Sequence, residues 1–221
     1  MASAQGLSFR SRDLFRCGIV VAVIYLLCLP IDAPALRLAL KGIPVILMAV
    51  WLAPWREHGA RLIGLGLLLS AIGDVCLEAS PRLFLVGLGA FLLAHVTYIA
   101  AFLRHSRRPA FIATIPVAAF GLGTFLWLQP HLDAMTLPVL GYVVVICMMM
   151  WRAWALVADQ SVARPIAWMA ALGASSFGLS DTLVAHNRFI APMLALQILL
   201  MLLYWTGQWG IAASQQARRT I

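Results

Sequence analysis

Eight stretches of roughly 20 mostly apolar residues, joined by short segments with Pro, Gly or Arg at their edges, leave this chain one solvent to fold in, a lipid bilayer. A helix of that length rises about 30 Å, the thickness of a hydrocarbon core. The stretches run 14–31, 35–53, 60–79, 82–103, 109–128, 136–157, 164–185 and 189–212. Hydrophobic residues make up 63% of the 221 and charged ones only 11%, whereas soluble chains carry about 25% charged residues. No recurrent apolar–polar alternation is present, which argues against a membrane barrel. The expected architecture is all-α and integral to the membrane, with eight transmembrane helices in one domain over 14–213 and short tails over 1–13 and 214–221. No long linker suggests a second domain.

The formal net charge of +8 comes from arginines whose placement argues for membrane topology rather than for nucleic-acid binding. Arg10, Arg12 and Arg16 precede the first span, and Arg56 and Arg61 separate the second from the third. Arg104, Arg107 and Arg108 follow the fourth, Arg152 and Arg164 flank a later turn, and Arg218 and Arg219 close the chain. With eight spans, all of these fall on one side, and only Arg37, Arg82 and Arg188 fall on the other. The positive-inside rule then puts both termini in the cytoplasm of a bacterial-type plasma membrane. A cleavable signal peptide ending at Ala33-Pro34-Ala35 is a rival for the first segment. Asp32 and Pro34 are poor neighbours for a cleavage site, and the chain runs straight on into another span.

Against this apolar background two acids stand out. Asp74 lies in LIGLGLLLSAIGDVCLEA and Asp181 in MAALGASSFGLSDTLVA, each inside a span. An aspartate at bilayer depth costs about 2.5–3.5 kcal/mol even on insertion scales, so it is usually paired, protonated or functional. Topology converts offsets into depth. Spans three and seven both run outward, which brings Asp74 and Asp181 to one level; Lys41, on the inward-running second span, joins them in the outer half. Glu78 follows Asp74 by one helical turn on the same face. A second polar group lies deeper: His95 and Tyr98 share a face of span four, and Tyr204 and Gln208 share a face of span eight. The order of acid, turn, Phe84 or Phe189, then polar helix face occurs twice, which points to two parallel four-helix repeats.

Plainer explanations exist for each residue alone. One of the acids can cap a turn or snorkel to headgroups, Lys41 can form a structural ion pair, and His95 can bond a neighbouring helix. Trp51, Trp55, Trp127 and Trp209 suit interfacial belts. His58, His105, His131 and His186 sit in loops or at span ends and are expected to be solvated. Cys17, Cys28, Cys76 and Cys147 have no metal or redox spacing and read as buried, reduced thiols. No closely spaced metal-ligand motif and no Gly-x-Ser-x-Gly elbow is present, so no metal is expected.

At these residues the chain resembles the YhhN-like lysoplasmalogenase family of multi-span membrane proteins. The likeness runs from Lys41-Gly-Ile-Pro44 to Tyr204 and Gln208 and is carried by SAIGDVCLE (70–78), FLVGLGAFLLAHVTYIAAF (84–102) and GLSDTLVAHNRF (178–189). Gly42 departs from it, standing where Lys followed directly by Pro is expected. The resemblance implies a cofactor-free hydrolase that splits the vinyl ether of a lysophospholipid substrate, releasing a fatty aldehyde and glycerophosphoethanolamine or glycerophosphocholine. Vinyl ethers hydrolyse by protonation of the β-carbon and capture of the resulting oxocarbenium ion by water, and two carboxyl groups suit such a cation. Asp74 and Asp181 are therefore the expected acid/base pair, in unassigned order. Lys41 and Glu78 are expected to tune them, and His95, Tyr98, Tyr204 and Gln208 to line the cavity, with Arg82 and Arg188 near the phosphate.

Two rivals remain open. Intramembrane Asp, Lys and His also mark small proton-coupled carriers, although the repeats look parallel and no discontinuous span is obvious. A non-catalytic lipid-binding protein would use the same polar layer only to specify helix packing. Oligomeric state stays open, since Gly87-x-Gly89 and Gly121-x-Gly123 can pack helices within or between chains.

Overall fold

In a computed structural model, which describes the backbone of residues 2–216 and the side chains of residues 13–215, the described residues are helical and turn structure with no strand. The helices are α1 (Ala2–Cys28), α2 (Pro34–Lys41), α3 (Ile43–Leu52), α4 (His58–Ala79), α5 (Phe84–His105), α6 (Phe111–Leu128), α7 (Thr136–Ala158), α8 (Arg164–Phe189) and α9 (Leu194–Gln216). Six helical stretches among the described residues are long and apolar enough to cross a membrane. They are α2 with α3, α4, α5, α6 and α7 with their short 3-10 extensions, and α9. α8 has the length but is too polar, with Ser175, Ser176, Ser180, Asp181 and Thr182 along it; it sits in the bundle where neighbouring helices take up those groups. Arg10, Arg12, Arg218 and Arg219, which the topology reading uses, lie outside the described side chains.

The second expected span is broken. α2 ends at Lys41 and α3 begins at Ile43, with Gly42 between them. Pro44 contributes, since its ring carries no N–H and crowds the carbonyl four residues back, although Pro116 lies inside an unbroken α6. The interruption is one residue long, and Gly42 keeps right-handed helical angles (φ −80°, ψ −16°). The break leaves Lys41 at the C-terminal end of a helix, where a cation is favoured by the exposed carbonyls.

α8 and α9 form the tightest pair, meeting through glycine. A Cβ at Gly207 would lie 2.8 Å from the backbone N of Phe177, and one at Gly173 would lie 2.8 Å from that of Ile211. Backbones that close leave no room for any side chain, so the two helices are held by dispersion and by Ser176 and Ser180 hydroxyls donating to Leu203 and Leu200 carbonyls at 2.8 Å. Phe177 is fully buried at the centre, with the rings of Phe91, His95, Tyr98 and Tyr204 around it.

At the end of the bundle carrying Ser106 and Asp159, a polar knot ties the α5–α6 and α7–α8 connections. Arg152 donates to the carbonyls of Arg108 (2.9 Å) and Ser106. Ser106 donates to Asp159 at 2.5 Å, and the Ser161 hydroxyl and amide donate to it at 2.7 and 3.0 Å. These bonds, led by that from Ser106, stabilise the carboxylate and hold Asp159 down to a pKa of about 2. The four cysteines are free, but the burial expected for them holds only for Cys28; Cys17 is exposed, and Cys76 and Cys147 are intermediate.

Candidate active site

Lys41, Asp74, Tyr142, Ser180, Asp181 and Tyr204 are the chief polar groups on the wall of one otherwise apolar cleft. The space enclosed within it is narrow, about 70 Å³. Six helices contribute besides the end of α2. α4 and α8 bring the two acids, α9 brings Tyr204 and α7 brings Tyr142, while Phe91 of α5 and Phe120 of α6 are among the apolar facings. Asp74, Asp181 and Lys41 thus line one cleft.

Each acid is gripped by a phenol from another helix. Tyr204 donates to Asp74 Oδ2 at 2.6 Å, and Tyr142 donates to Asp181 Oδ2 at 2.5 Å. Asp74 is buried, and the Asp181 side chain is 13% exposed. His95 Nε2 lies 3.7 Å from Asp181 Oδ2, and neither ring nitrogen has a hydrogen-bond partner in the protein. The imidazole is wedged between Tyr142 (centroids 5.3 Å apart) and Phe177 (4.8 Å), so it cannot turn away from the acid without displacing both rings.

The other polar residues singled out in the sequence stand off the wall. Glu78, expected to tune the acids, pairs with the wall residue Lys41. It accepts from Lys41 at 3.1 Å, Arg37 Nε at 2.9 Å and the Tyr25 hydroxyl at 3.2 Å, joining α1 and α2 to α4. Two cations thus hold this glutamate, and one of them, Lys41, also lines the cleft. Tyr98 and Gln208 lie off the wall, where the Tyr98 hydroxyl donates to Gln208 Oε1 at 2.7 Å. They are fully buried in the bundle core, with Gln208 Nε2 left without a hydrogen-bond partner in the protein. His95 also stands off the wall, behind Asp181. Of the four residues expected as lining, only Tyr204 lines the cleft. At its rim Phe84 and Phe189 meet edge to face at 5.5 Å, with the Arg188 guanidinium 4.8 Å from the Phe84 ring centre. His186 stacks on Trp127 with centroids 5.4 Å apart and is partly buried, and His105 contacts Gln215 at 2.8 Å; only His58 and His131 are exposed as expected.

Tyr142, Tyr25 and Arg37 were missed as partners. Tyr142 carried a usable signal, standing in the apolar run LPVLGYVVVICMMM in the first half of α7. Arg37 stands four residues before Lys41 on one helix face, the spacing at which two cations can grip one acid.

Six helical stretches of membrane-crossing length among the described residues, with two carboxyl groups on one largely apolar cleft, characterise a helical membrane protein. The chain belongs to the YhhN family, whose model matches residues 36–215. A pig protein named lysoplasmalogenase TMEM86B is 34% identical over 198 residues, covering 87% of this chain and 81% of the relative. The human protein of that name is 32% identical over 79% of this chain and 73% of its own. A Mycobacterium bovis protein named lysoplasmalogenase is 36% identical over 67% of this chain and 55% of its own length. No solved structure matches.

Proposed function

We propose that this chain is a membrane hydrolase that cleaves the vinyl-ether bond of lysoplasmalogens, with Asp74 and Asp181 as the acid/base pair. The observation that carries the reading is the arrival of both carboxyl groups on one apolar cleft wall. The relatives named lysoplasmalogenase support the substrate class. One protonated carboxyl group delivers H⁺ to the β-carbon of the vinyl ether, giving an oxocarbenium ion; the other, ionised, stabilises that cation and deprotonates the attacking water. The hemiacetal then collapses to a fatty aldehyde and the glycerophospho-alcohol. These steps need no redox group and no metal. Leu88, Phe91, Phe120, Val139 and Ile146 offer the alkenyl chain an apolar bed, and the phosphate faces the outer rim near Arg188.

The same reading extends to architecture and orientation. α2 and α3 count as one rod, giving eight spans in two parallel halves, with both termini cytoplasmic and one membrane domain. The pattern of packing supports the halves: α4 on α5 corresponds to α8 on α9, α3 on α4 to α7 on α8, and α1 on α3 to α6 on α7. The acids are served crosswise. Asp74 of the first half meets Tyr204 of the second, and Asp181 of the second faces His95 of the first.

One observation favours a second reading. A broken helix beside a buried cation is a feature of carriers, and Gly42 supplies it next to Lys41. Purified protein in liposomes containing 1-alkenyl-lysophosphatidylethanolamine separates the two. Aldehyde release supports the hydrolase, whereas proton or solute flux without aldehyde supports the carrier.

A further inference from the structure

We infer that the two carboxyl groups are not interchangeable: Asp181 is the acid that protonates the vinyl ether, and Asp74 is the carboxylate that faces the cation and activates water. The inference rests on the vinyl-ether reading and adds to it the order of the two acids. It stands on how the charged and polar groups are distributed around the cleft.

On the Asp74 side, Lys41 of α2 brings an ammonium group to the same wall and acts on the carboxylate through space. Tyr204 of α9 donates to it at 2.6 Å. Glu78, on α4 itself, is occupied by Lys41, Arg37 and Tyr25, and the phenols of Tyr25 (α1) and Tyr98 (α5) complete the titratable surroundings. A cation and a phenolic donor together suit a carboxylate. A group that must hold a negative charge through oxocarbenium formation gains most from being placed there.

The Asp181 side differs. Tyr142 of α7 donates to Oδ2, His95 of α5 faces the same oxygen at 3.7 Å, and the other titratable group acting on it is Asp74. The side chains that α6 and α9 turn toward this part of the cleft include Phe120, Thr124 and Met201, none of which titrates. No lysine or arginine among the described residues bridges Asp181. With Oδ2 engaged as an acceptor, Oδ1 is left to carry the proton that goes to the substrate. His95, whose ring nitrogens have no hydrogen-bond partner in the protein and whose ring is packed between Tyr142 and Phe177 with Nε2 3.7 Å from Oδ2, borders that acid as a positioning residue.

The balance closes. Asp181–COOH gives its proton to the β-carbon, the C=C electrons form the new C–H bond, and the ether oxygen shares its lone pair to make the oxocarbenium ion. Water adds to that carbon as Asp74–COO⁻ takes its proton. In the collapse, the hemiacetal hydroxyl returns a proton to Asp181, the carbon–oxygen bond to glycerol breaks, and Asp74–COOH protonates the leaving oxygen. Both acids regain their starting states, and one water is consumed.

Two limbs of the pH profile of kcat/KM separate the roles, because the low-pH limb reports the group that must be ionised and the high-pH limb the group that must hold its proton. Full-length protein in detergent micelles is assayed on 1-alkenyl-lysophosphatidylethanolamine through an aldehyde-coupled dehydrogenase. Lys41→Gln is expected to move the low-pH limb by about one pH unit, the size a close charge confers, and leave the high-pH limb in place. His95→Gln is expected to move only the high-pH limb. Where either variant does not fold, Tyr204→Phe reads the Asp74 limb and Tyr142→Phe reads the Asp181 limb. The opposite pattern, or displacement of both limbs by each variant, overturns the assignment. Wild-type protein that yields no aldehyde at any pH overturns instead the vinyl-ether reading beneath it.

Discussion

Removing the Tyr204 hydroxyl takes one oxygen from the buried site and leaves the ring, so Tyr204→Phe isolates the bond to Asp74. The ring is 3% exposed and is fixed edge-on by Phe91 at 5.9 Å and by Phe177 at 5.3 Å, so phenylalanine should occupy the same space. What disappears is a 2.6 Å bond to a carboxyl group that is itself buried. Hydrogen bonds to charged groups contribute about 1.5–3 kcal/mol. If that stabilisation is expressed in the transition state, kcat/KM should fall roughly 10- to 150-fold. The assay is aldehyde release by purified variant and wild type, alongside thermal unfolding to show that the variant is folded. A folded variant with kcat/KM within about twofold of wild type would refute the idea that this bond supports the reacting carboxylate, since it corresponds to under about 0.5 kcal/mol.

Other consequences are equally direct. Gly207→Val places a side chain where a Cβ would already lie 2.8 Å from the Phe177 amide nitrogen, so α8 and α9 must separate. Overpacking of this kind costs about 1–3 kcal/mol or more, and a lowered unfolding temperature together with loss of activity is expected. Asp159 is held well below its ordinary pKa, so its contribution to stability is complete above about pH 4 and fades as pH falls toward 2. The unfolding temperature of Asp159→Ala should therefore lie below that of wild type at neutral pH, with the gap closing across that window. Ile146→Trp fills part of the cleft wall and should depress turnover of long alkenyl chains more than of short ones; equal losses at all lengths would place the chain elsewhere.

The outline of the fold was legible because lipid imposes length on helices, and the apolar runs match the helices to within a few residues at most ends. Asp74 and Asp181 stood out for the related reason that an acid is costly in such a run. Partner choice was not legible. Helical spacing tells which side chains share a face but not which neighbour that face meets, so Tyr142 opposite Asp181 and the Tyr98–Gln208 pair emerge only from the packing. Glu78 shows the limit clearly: its position one turn beyond Asp74 was legible, but its bonds to Arg37, Lys41 and Tyr25 emerge only from the packing. The interruption at Gly42 was not legible from proline alone, since Pro44 stands beside it while Pro116 sits inside an unbroken α6.

The most direct test of the two-carboxyl account is the turnover of 1-alkenyl-lysophosphatidylethanolamine by purified Asp74→Asn and Asp181→Asn proteins. Removal of a general acid or base typically costs about 10²–10⁴-fold in rate, and each folded variant should lose activity on that scale while still binding the lipid. Aldehyde release within a few-fold of wild type from either folded variant would contradict it.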